Sequence, residues 1–119
     1  RFKGSDLRKT NFNGASLQKE KFWKATLTNA KFHNANQSGA TQEAADLQGA
    51  DLRHCNLRGT NLLNANLKNA RGLTIDQIQS ACNWQEAIFD DELMLQLDLK
   101  ADILKNVPTQ QIPKTQDSP

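Results

Sequence analysis

The 119-residue sequence has little cysteine, proline or aromatic content and no long hydrophobic run; it contains two Cys, three Pro, five Phe, two Trp and no Tyr. Without a run of about twenty apolar residues, no membrane-spanning helix is expected. Cys55 and Cys82 have neither metal-ligand spacing nor a disulfide framework, so we predict two free, largely buried thiols. The mean hydropathy of −0.71 is low for a conventional core, and a narrow, regularly filled core would reconcile it with an ordered chain.

A signal-peptide pattern is also lacking, although the sequence opens at Arg1, inside a repeat and without a methionine. The compartment therefore stays open. Cytoplasm is the default prediction, and a removed leader would instead place the chain in a lumen or periplasm.

Charge is distributed unevenly along the chain. Residues 1–70 hold eleven Lys and Arg against five Asp and Glu, a net charge of +6. Residues 71–119 hold four against eight, a net charge of −4. A basic body with an acidic C-terminal part argues against any function that needs an acidic body.

What the sequence does have is an uninterrupted five-residue period, clearest in residues 45–69 (ADLQGADLRHCNLRGTNLLNANLKN). The third residue of each unit, here called the centre, is Leu or Phe in twelve of fourteen units. The residue two positions earlier is small except at Glu20, and the residue between them is mostly Asp, Asn, Ser or Thr. The apolar centres are the predicted structural core: Phe2, Leu7, Phe12, Leu17, Phe22, Leu27, Phe32, Leu47, Leu52, Leu57, Leu62 and Leu67.

A period of five fits neither an α-helix nor a simple strand. In extended backbone the centre and the small residue share one face, and a chain that turns at the same place in every unit coils into a solenoid. The period over residues 1–70 resembles that of the pentapeptide-repeat family, whose unit is written A(D/N)LXX. The resemblance implies a mainly β fold, a right-handed quadrilateral β-helix with four units per coil and here about 3.5 coils.

Two centres, Gln37 and Gln42, depart from the pattern and fall in one coil on adjacent sides. The favoured interpretation keeps both in phase, because the alanines before them hold the period, and the two buried amides must then find partners. The other interpretation is that residues 37–44 bulge out as a loop and form a contact site.

Helix signals follow the repeat. Thr74 and Gln77 are spaced as a capping box that opens a short helix ending at about Cys82. The acidic run at residues 90–92 opens a second helix, and residues 102–105 add a turn. The residues of the second helix predicted to face inward are Leu93, Met94 and Leu97.

These signals predict three parts: a β-helix over residues 1–70, a C-terminal helical cap over residues 71–107, and an extended, proline-containing tail over residues 108–119. The cap would cover the apolar cross-section and strand edge of the last coil. The GLT–hydrophobic–AXNW–acidic-turn segment is also similar to the tails of some cyanobacterial members of the family.

No catalytic, metal or cofactor site is predicted. His33 and His54 face outward on one side beside Arg53, but no Ser, Cys or carboxylate is placed to form a triad with them. We interpret both histidines as solvated and the glycines as turn residues rather than a phosphate-binding loop. The sequence therefore predicts a non-enzyme without a cofactor.

One set of surface residues stands above the background and forms the candidate interaction surface: Arg1, Lys3, Lys21, Trp23 and Lys24. An exposed aromatic residue among four cations suits an anionic partner, including nucleic acid. The favoured interpretation is a solvated face on which Trp23 covers a lysine stem. The acidic C-terminal helices are a second candidate surface, for a basic partner.

The predicted function is a structural or protein-interaction scaffold that presents flat faces to an unidentified protein partner. The alternative is binding of an anionic partner through the surface around Trp23, with nucleic acid less favoured. The N-terminal end is a candidate for self-association, unless preceding residues complete it. The best-known activity in the family is protection of DNA gyrase by imitation of duplex DNA. Such mimicry needs an acidic surface, whereas residues 1–70 have a net charge of +6.

Overall fold

The computed structural model describes the backbone of residues 2–105 and the side chains of residues 2–98. Arg1 and residues 106–119, which include the predicted tail, lie outside the described residues. Within the described part of the repeat, each unit from Asp6 onward has the same local structure: a residue in a β-bridge, the centre, and a two-residue turn.

Each unit turns through a hydrogen-bonded β-turn whose third residue has a positive φ. In the first unit the Ser5 N–H donates to the Phe2 carbonyl oxygen at 3.0 Å, and Gly4 has a φ of 66°. Left-handed backbone is costly for most residues but open to Gly and tolerated by Asn. The corresponding positions of the fourteen units all have positive φ, and nine of them are Gly or Asn. The geometry of the turn therefore explains why Gly and Asn are common at the end of the unit.

The Asp or Asn before each centre stabilises the same turn. The Asn36 Oδ1 accepts a hydrogen bond from the Ser38 N–H at 3.0 Å, and the Asn66 Oδ1 accepts one from the Lys68 N–H at 3.1 Å. The same bond recurs in six other units. These are Asx turns, in which a short side chain replaces a backbone partner, and they explain why the position prefers Asp and Asn.

Residues twenty positions apart pair in parallel. Asp6 bridges Thr26, which bridges Asp46, which in turn bridges Asn66. Ten bridges with this spacing lie in the described chain, so four units complete one turn and the repeat winds into a β-helix.

The centres and the small residues fill the interior. The Phe2 and Phe22 rings stack with centroids 5.0 Å apart, and the Phe12 and Phe32 rings stack at 5.2 Å, with edge-to-face contacts between adjacent sides. Each aromatic pair adds about 0.5–1.5 kcal/mol beyond its area burial. Nine of the predicted core centres are buried. Three centres of the first coil are only partly buried, namely Phe2, Leu7 and Phe12. Among the described residues, the first coil has a neighbouring coil above it but none below it.

Gln37 and Gln42 lie in phase inside the β-helix, with no solvent exposure. The Gln42 Nε2 donates to the Gln37 Oε1, and the Gln37 Nε2 donates to the Cys55 Sγ at 3.3 Å. The Thr60 hydroxyl donates to the Gln37 carbonyl oxygen at 2.7 Å. The in-phase interpretation is confirmed, and the alternative of a bulged loop over residues 37–44 is wrong.

Beyond the repeat, the described chain forms helix α1 (Ile75–Ser80), a 3₁₀ helix (Trp84–Glu86) and helix α2 (Asp91–Lys105). The predicted capping box is confirmed. The Thr74 side-chain oxygen accepts from the Gln77 N–H at 3.1 Å, and the Gln77 side-chain oxygen accepts from the Thr74 N–H at 2.8 Å. Within the described residues no helix combines the length and apolar character needed to cross a bilayer.

Two predictions for this segment are wrong. Cys82 is exposed rather than buried, because α1 ends two residues earlier and the Cys82 backbone pairs with Asn61, where it continues a bridge ladder at the outer corner of the coils. Met94 is 43% exposed although it was predicted to face inward. Leu93 and Leu97, four residues apart, share the packed face of α2, and Met94 is rotated away from it.

Side-chain hydrogen bonds tie this segment to the β-helix. The Gln77 Nε2 donates to the carbonyl oxygens of Leu52 and Cys55, both at 2.9 Å. The Asp90 carboxylate accepts from the backbone N–H of Asn69 at 2.8 Å. Polar residues near the start of α1 and directly before α2 therefore bind the backbone of the repeat.

Candidate interaction surface

The surface predicted around Trp23 is assembled from consecutive coils. The Gly4 N–H donates to the Trp23 carbonyl oxygen at 2.8 Å, and this pairing brings Lys3 beside the indole ring. Lys24 follows in the same turn with a φ of 58°. The ammonium nitrogens of Lys3 and Lys24 lie 4.3 Å and 4.8 Å from the centroid of the Trp23 ring. We call Lys3, Lys21, Trp23 and Lys24 the Trp23 surface.

The electrostatics of this surface are those of a cation–π cluster. Trp23 is half-buried, and the three lysines are exposed. Each ammonium group over the ring is stabilised by about 0.5–1 kcal/mol at an exposed site. The structure thus brings together three of the five predicted residues through direct contact, with Lys21 two residues before Trp23; Arg1 is outside the described residues.

His33 and His54 lie side by side on another side of the β-helix, with ring centroids 5.7 Å apart. The His33 backbone N–H donates to the Asn13 Oδ1 at 2.8 Å, which holds the turn rather than the imidazole. The neighbouring Cys55 faces the core, and burial raises the pKa of its thiol to about 11, so it stays protonated near neutral pH. Among the described residues, no three His, Cys, Asp or Glu side chains come close enough to share a metal ion.

The third residue of that predicted group, Arg53, forms an ion pair that sequence analysis missed. Its Nε and one terminal nitrogen donate to the two carboxylate oxygens of Asp51 at 2.8 Å and 2.6 Å. The Asp51 side chain is 9% exposed, and the hydrogen bonds from Arg53 lower its pKa from 3.8 to about 2 although burial acts in the opposite direction. The readable signal was the Asp-x-Arg spacing, which recurs at Asp6 and Arg8 with contacts of 2.8 Å and 2.7 Å. The ion pair therefore holds the Arg53 guanidinium beside the Asp51 carboxylate of its own unit.

A second feature missed by sequence analysis is an apolar groove of about 210 Å³ between the 3₁₀ helix and α2. We call it the C-terminal groove. Its signal in the sequence was weak, because helical periodicity does not show which apolar residues remain uncovered. Its apolar lining consists of Trp84, Ala87, Phe89, Met94 and Leu97.

The family model of pentapeptide repeats matches the chain in eight copies over residues 5–41 and 43–71, which together make up more than half of the sequence. The chain belongs to the pentapeptide-repeat family. The matched residues are those whose turns and bridges build the β-helix, and they include Lys21, Trp23 and Lys24 of the Trp23 surface, whereas Lys3 precedes them. No curated protein sequence matches this pentapeptide-repeat chain significantly.

Solved structures of other proteins share its fold. A pentapeptide-repeat protein from the thylakoid lumen of Arabidopsis thaliana is 23% identical, with a TM-score of 0.57, and the match covers 89% of this chain and 92% of that protein. Full-length QnrB1, a plasmid-mediated fluoroquinolone resistance protein, is 24% identical with a TM-score of 0.64. That match covers 77% of this chain and 42% of QnrB1, so the chain spans less than half of QnrB1. At these identities the likeness shows the fold alone, a right-handed β-helix.

Proposed function

We propose that this pentapeptide-repeat protein is a non-enzymatic scaffold that presents flat, rigid faces to a protein partner. In this proposal residues 1–70 form a right-handed quadrilateral β-helix of about 3.5 coils. Residues 71–107 cap its last coil, and residues 108–119 form a tail.

The observation that carries the proposal is the regular ladder of bridges between residues twenty positions apart. Because successive coils are spaced by about 4.8 Å, the outward side chains stand in fixed columns on each side. A surface ordered before binding loses little conformational entropy when a partner docks. The non-enzymatic part of the proposal is supported by the placement of two groups, because Cys55 faces the core and Arg53 is paired with Asp51.

The proposed cap is supported by the way the C-terminal segment continues the edge of the coils. Cys82 bridges Asn61, and Ile88 bridges Asn66, so the segment pairs with backbone that would otherwise form a strand edge. Ile78 has no solvent exposure, and Phe89 is 3% exposed, as expected of side chains that cover an apolar cross-section.

The Trp23 surface favours a second function, binding of an anionic partner. Two ammonium groups are held at one indole ring, and a third lysine lies in the same coil. Nucleic acid is a less favoured partner, because single-strand binding usually uses several aromatic residues for stacking and this surface has one. Gyrase mimicry is a third and less favoured hypothesis, since the net charge of residues 1–70 is +6.

The test compares capture of proteins and nucleic acid from a lysate of the source organism by the wild type and two double variants. The first variant is Lys21→Glu with Lys24→Glu. The matched control is Arg58→Glu with Lys68→Glu, which makes the same charge change at exposed residues of units on other sides. Folding of both variants is checked by circular dichroism.

Each result decides between the two functions. A protein retained by the wild type and by the Lys21/Lys24 variant supports the scaffold with a working face elsewhere. A partner that binds the wild type in a salt-sensitive way and is lost only from the Lys21/Lys24 variant supports the second function, binding of an anionic partner at the Trp23 surface. Equal loss from both variants indicates unspecific charge attraction, and the absence of any retained protein contradicts the scaffold.

A further inference from the structure

The exposed apolar side chains of the described residues gather in the C-terminal segment. The large hydrophobic residues that remain exposed there are Ile88, Met94 and Leu95, at 47%, 43% and 58%. Met94 lines the C-terminal groove, and Leu95 follows it in α2. Apolar surface grouped beside a groove marks a site for a partner.

The same segment is predominantly acidic. Residues 74–98 contain six Asp and Glu and no Lys or Arg, and Asp98 lines the groove itself. An apolar groove in a field of negative charge selects a cationic segment that also carries apolar side chains. We propose that the C-terminal groove binds a short, cationic, amphipathic segment of a partner protein.

Two other occupants each lack one of the required properties. The β-helix of a second copy has the charge, but the large exposed apolar side chains of the described residues lie outside it. Its Trp23 is already covered by Lys3 and Lys24. Residues 106–119 contain Val107 and Ile112 but one Lys and one Asp, so that segment brings no net positive charge. A cationic amphipathic segment has both properties.

The probe is a synthetic peptide of about 16 residues, with Leu at helical i, i+3, i+4 and i+7 positions and Lys elsewhere. A twin with Glu in place of Lys tests the charge, and a twin of the same composition with Leu scattered around the helix tests the apolar face. The full chain carries Trp23→Phe, so that Trp84, which lines the groove, is its one tryptophan. We expect the Lys peptide to shift the Trp84 emission and to bind at least about tenfold more tightly than either twin.

The variant Met94→Glu separates groove binding from general attraction. It adds a negative charge, so charge alone predicts tighter binding of the Lys peptide, whereas filling of the groove predicts binding weakened by about tenfold or more. Gln96→Glu is the matched control, because it adds the same charge to an exposed position of α2 outside the groove lining. Met94→Gln, which adds no charge, should also weaken binding, and thermal unfolding verifies that each variant is folded.

Several outcomes would overturn the inference. One is that Met94→Glu and Gln96→Glu bind the Lys peptide with equal affinity. Another is that the Glu twin binds the wild-type groove as tightly as the Lys peptide does. A dimer in sedimentation velocity that Met94→Glu dissociates would assign the groove to a second copy. Competition by a peptide of residues 106–119 would assign it to the chain itself. The groove lies apart from the sides of the β-helix, so its failure and that of the proposed scaffold are separate results.

Discussion

The Gln42 side-chain amide donates a hydrogen bond to the Gln37 side-chain oxygen inside the β-helix, where neither residue has any solvent exposure. The Gln37 amide in turn donates to the Cys55 sulfur. This series of bonds ends one partner short, because the Gln42 Oε1 is buried and accepts no hydrogen bond from the described residues. A buried acceptor without a partner costs about 1–3 kcal/mol, so we expect Gln42 to lower the stability of its coil relative to Leu at the same position.

The first prediction follows from this pair. Replacing both residues, Gln37→Leu with Gln42→Leu, should raise the free energy of unfolding by about 1–3 kcal/mol, because it removes the unpaired acceptor and restores the Leu that other coils carry. Gln37→Leu alone should lower it, since the Gln42 amide then loses its acceptor. Urea denaturation of the two single variants and the double variant measures the coupling free energy between Gln37 and Gln42. If the two single effects simply add, the hydrogen bond between the side chains does not stabilise the fold.

A second prediction concerns Ala44, which occupies the left-handed turn position with a φ of 57°. This conformation is unfavourable for a residue with a Cβ but not for glycine. Ala44→Gly should therefore raise the free energy of unfolding by about 0.5–1 kcal/mol, after allowing for the greater freedom of glycine in the unfolded chain. Ala45→Gly is the control one residue away. Ala45 is 1% exposed and has no positive φ, so its replacement should be destabilising. Changes of the same sign in both variants would contradict the explanation.

Most of the fold could be predicted from the sequence because each unit repeats the same turn and the same inward pair. One correct phase assignment then places every later centre, which is why Gln37 and Gln42 could be kept inside despite their polarity. The C-terminal segment has no such repetition. Its helices were predicted from local signals, but the end of α1 depended on Cys82 pairing with Asn61, a contact with a residue far away in the chain.

The candidate site was less predictable than the fold. The spacing of twenty positions was enough to place Lys3 beside Trp23, and the structure gives them a direct cation–π contact. The partner cannot be deduced in this way, because outward positions are constrained by solubility and turn geometry as well as by binding. The exposure of Met94 depends on the orientation of α2 relative to the 3₁₀ helix. That orientation cannot be predicted from the sequence of either helix by itself.

A third prediction distinguishes the two cysteines. Cys55 is 3% exposed with a pKa raised to about 11 by burial, whereas Cys82 is exposed. Because the thiolate is the reactive form and must be reached by solvent, a thiol reagent should label one cysteine rapidly in the folded protein and both after denaturation. Cys82→Ser should abolish the rapid phase, and Cys55→Ser should leave it unchanged. Rapid labelling that survives in Cys82→Ser would show that the β-helix opens at Cys55.

The last prediction uses the Asp51–Arg53 ion pair. The pKa of Asp51 is lowered in the folded protein from 3.8 to about 2, so folding favours the ionised carboxylate. Its contribution to stability is therefore complete above about pH 4 and is lost as the pH falls from there towards 2. Asp51→Asn should flatten this part of the pH dependence of the unfolding free energy, measured by urea denaturation at several pH values. Asp6→Asn, at the exposed pair with Arg8, is the control and should have a smaller effect, because solvent screens that pair. A slope in Asp51→Asn equal to that of the wild type would place the acid sensitivity of the fold elsewhere.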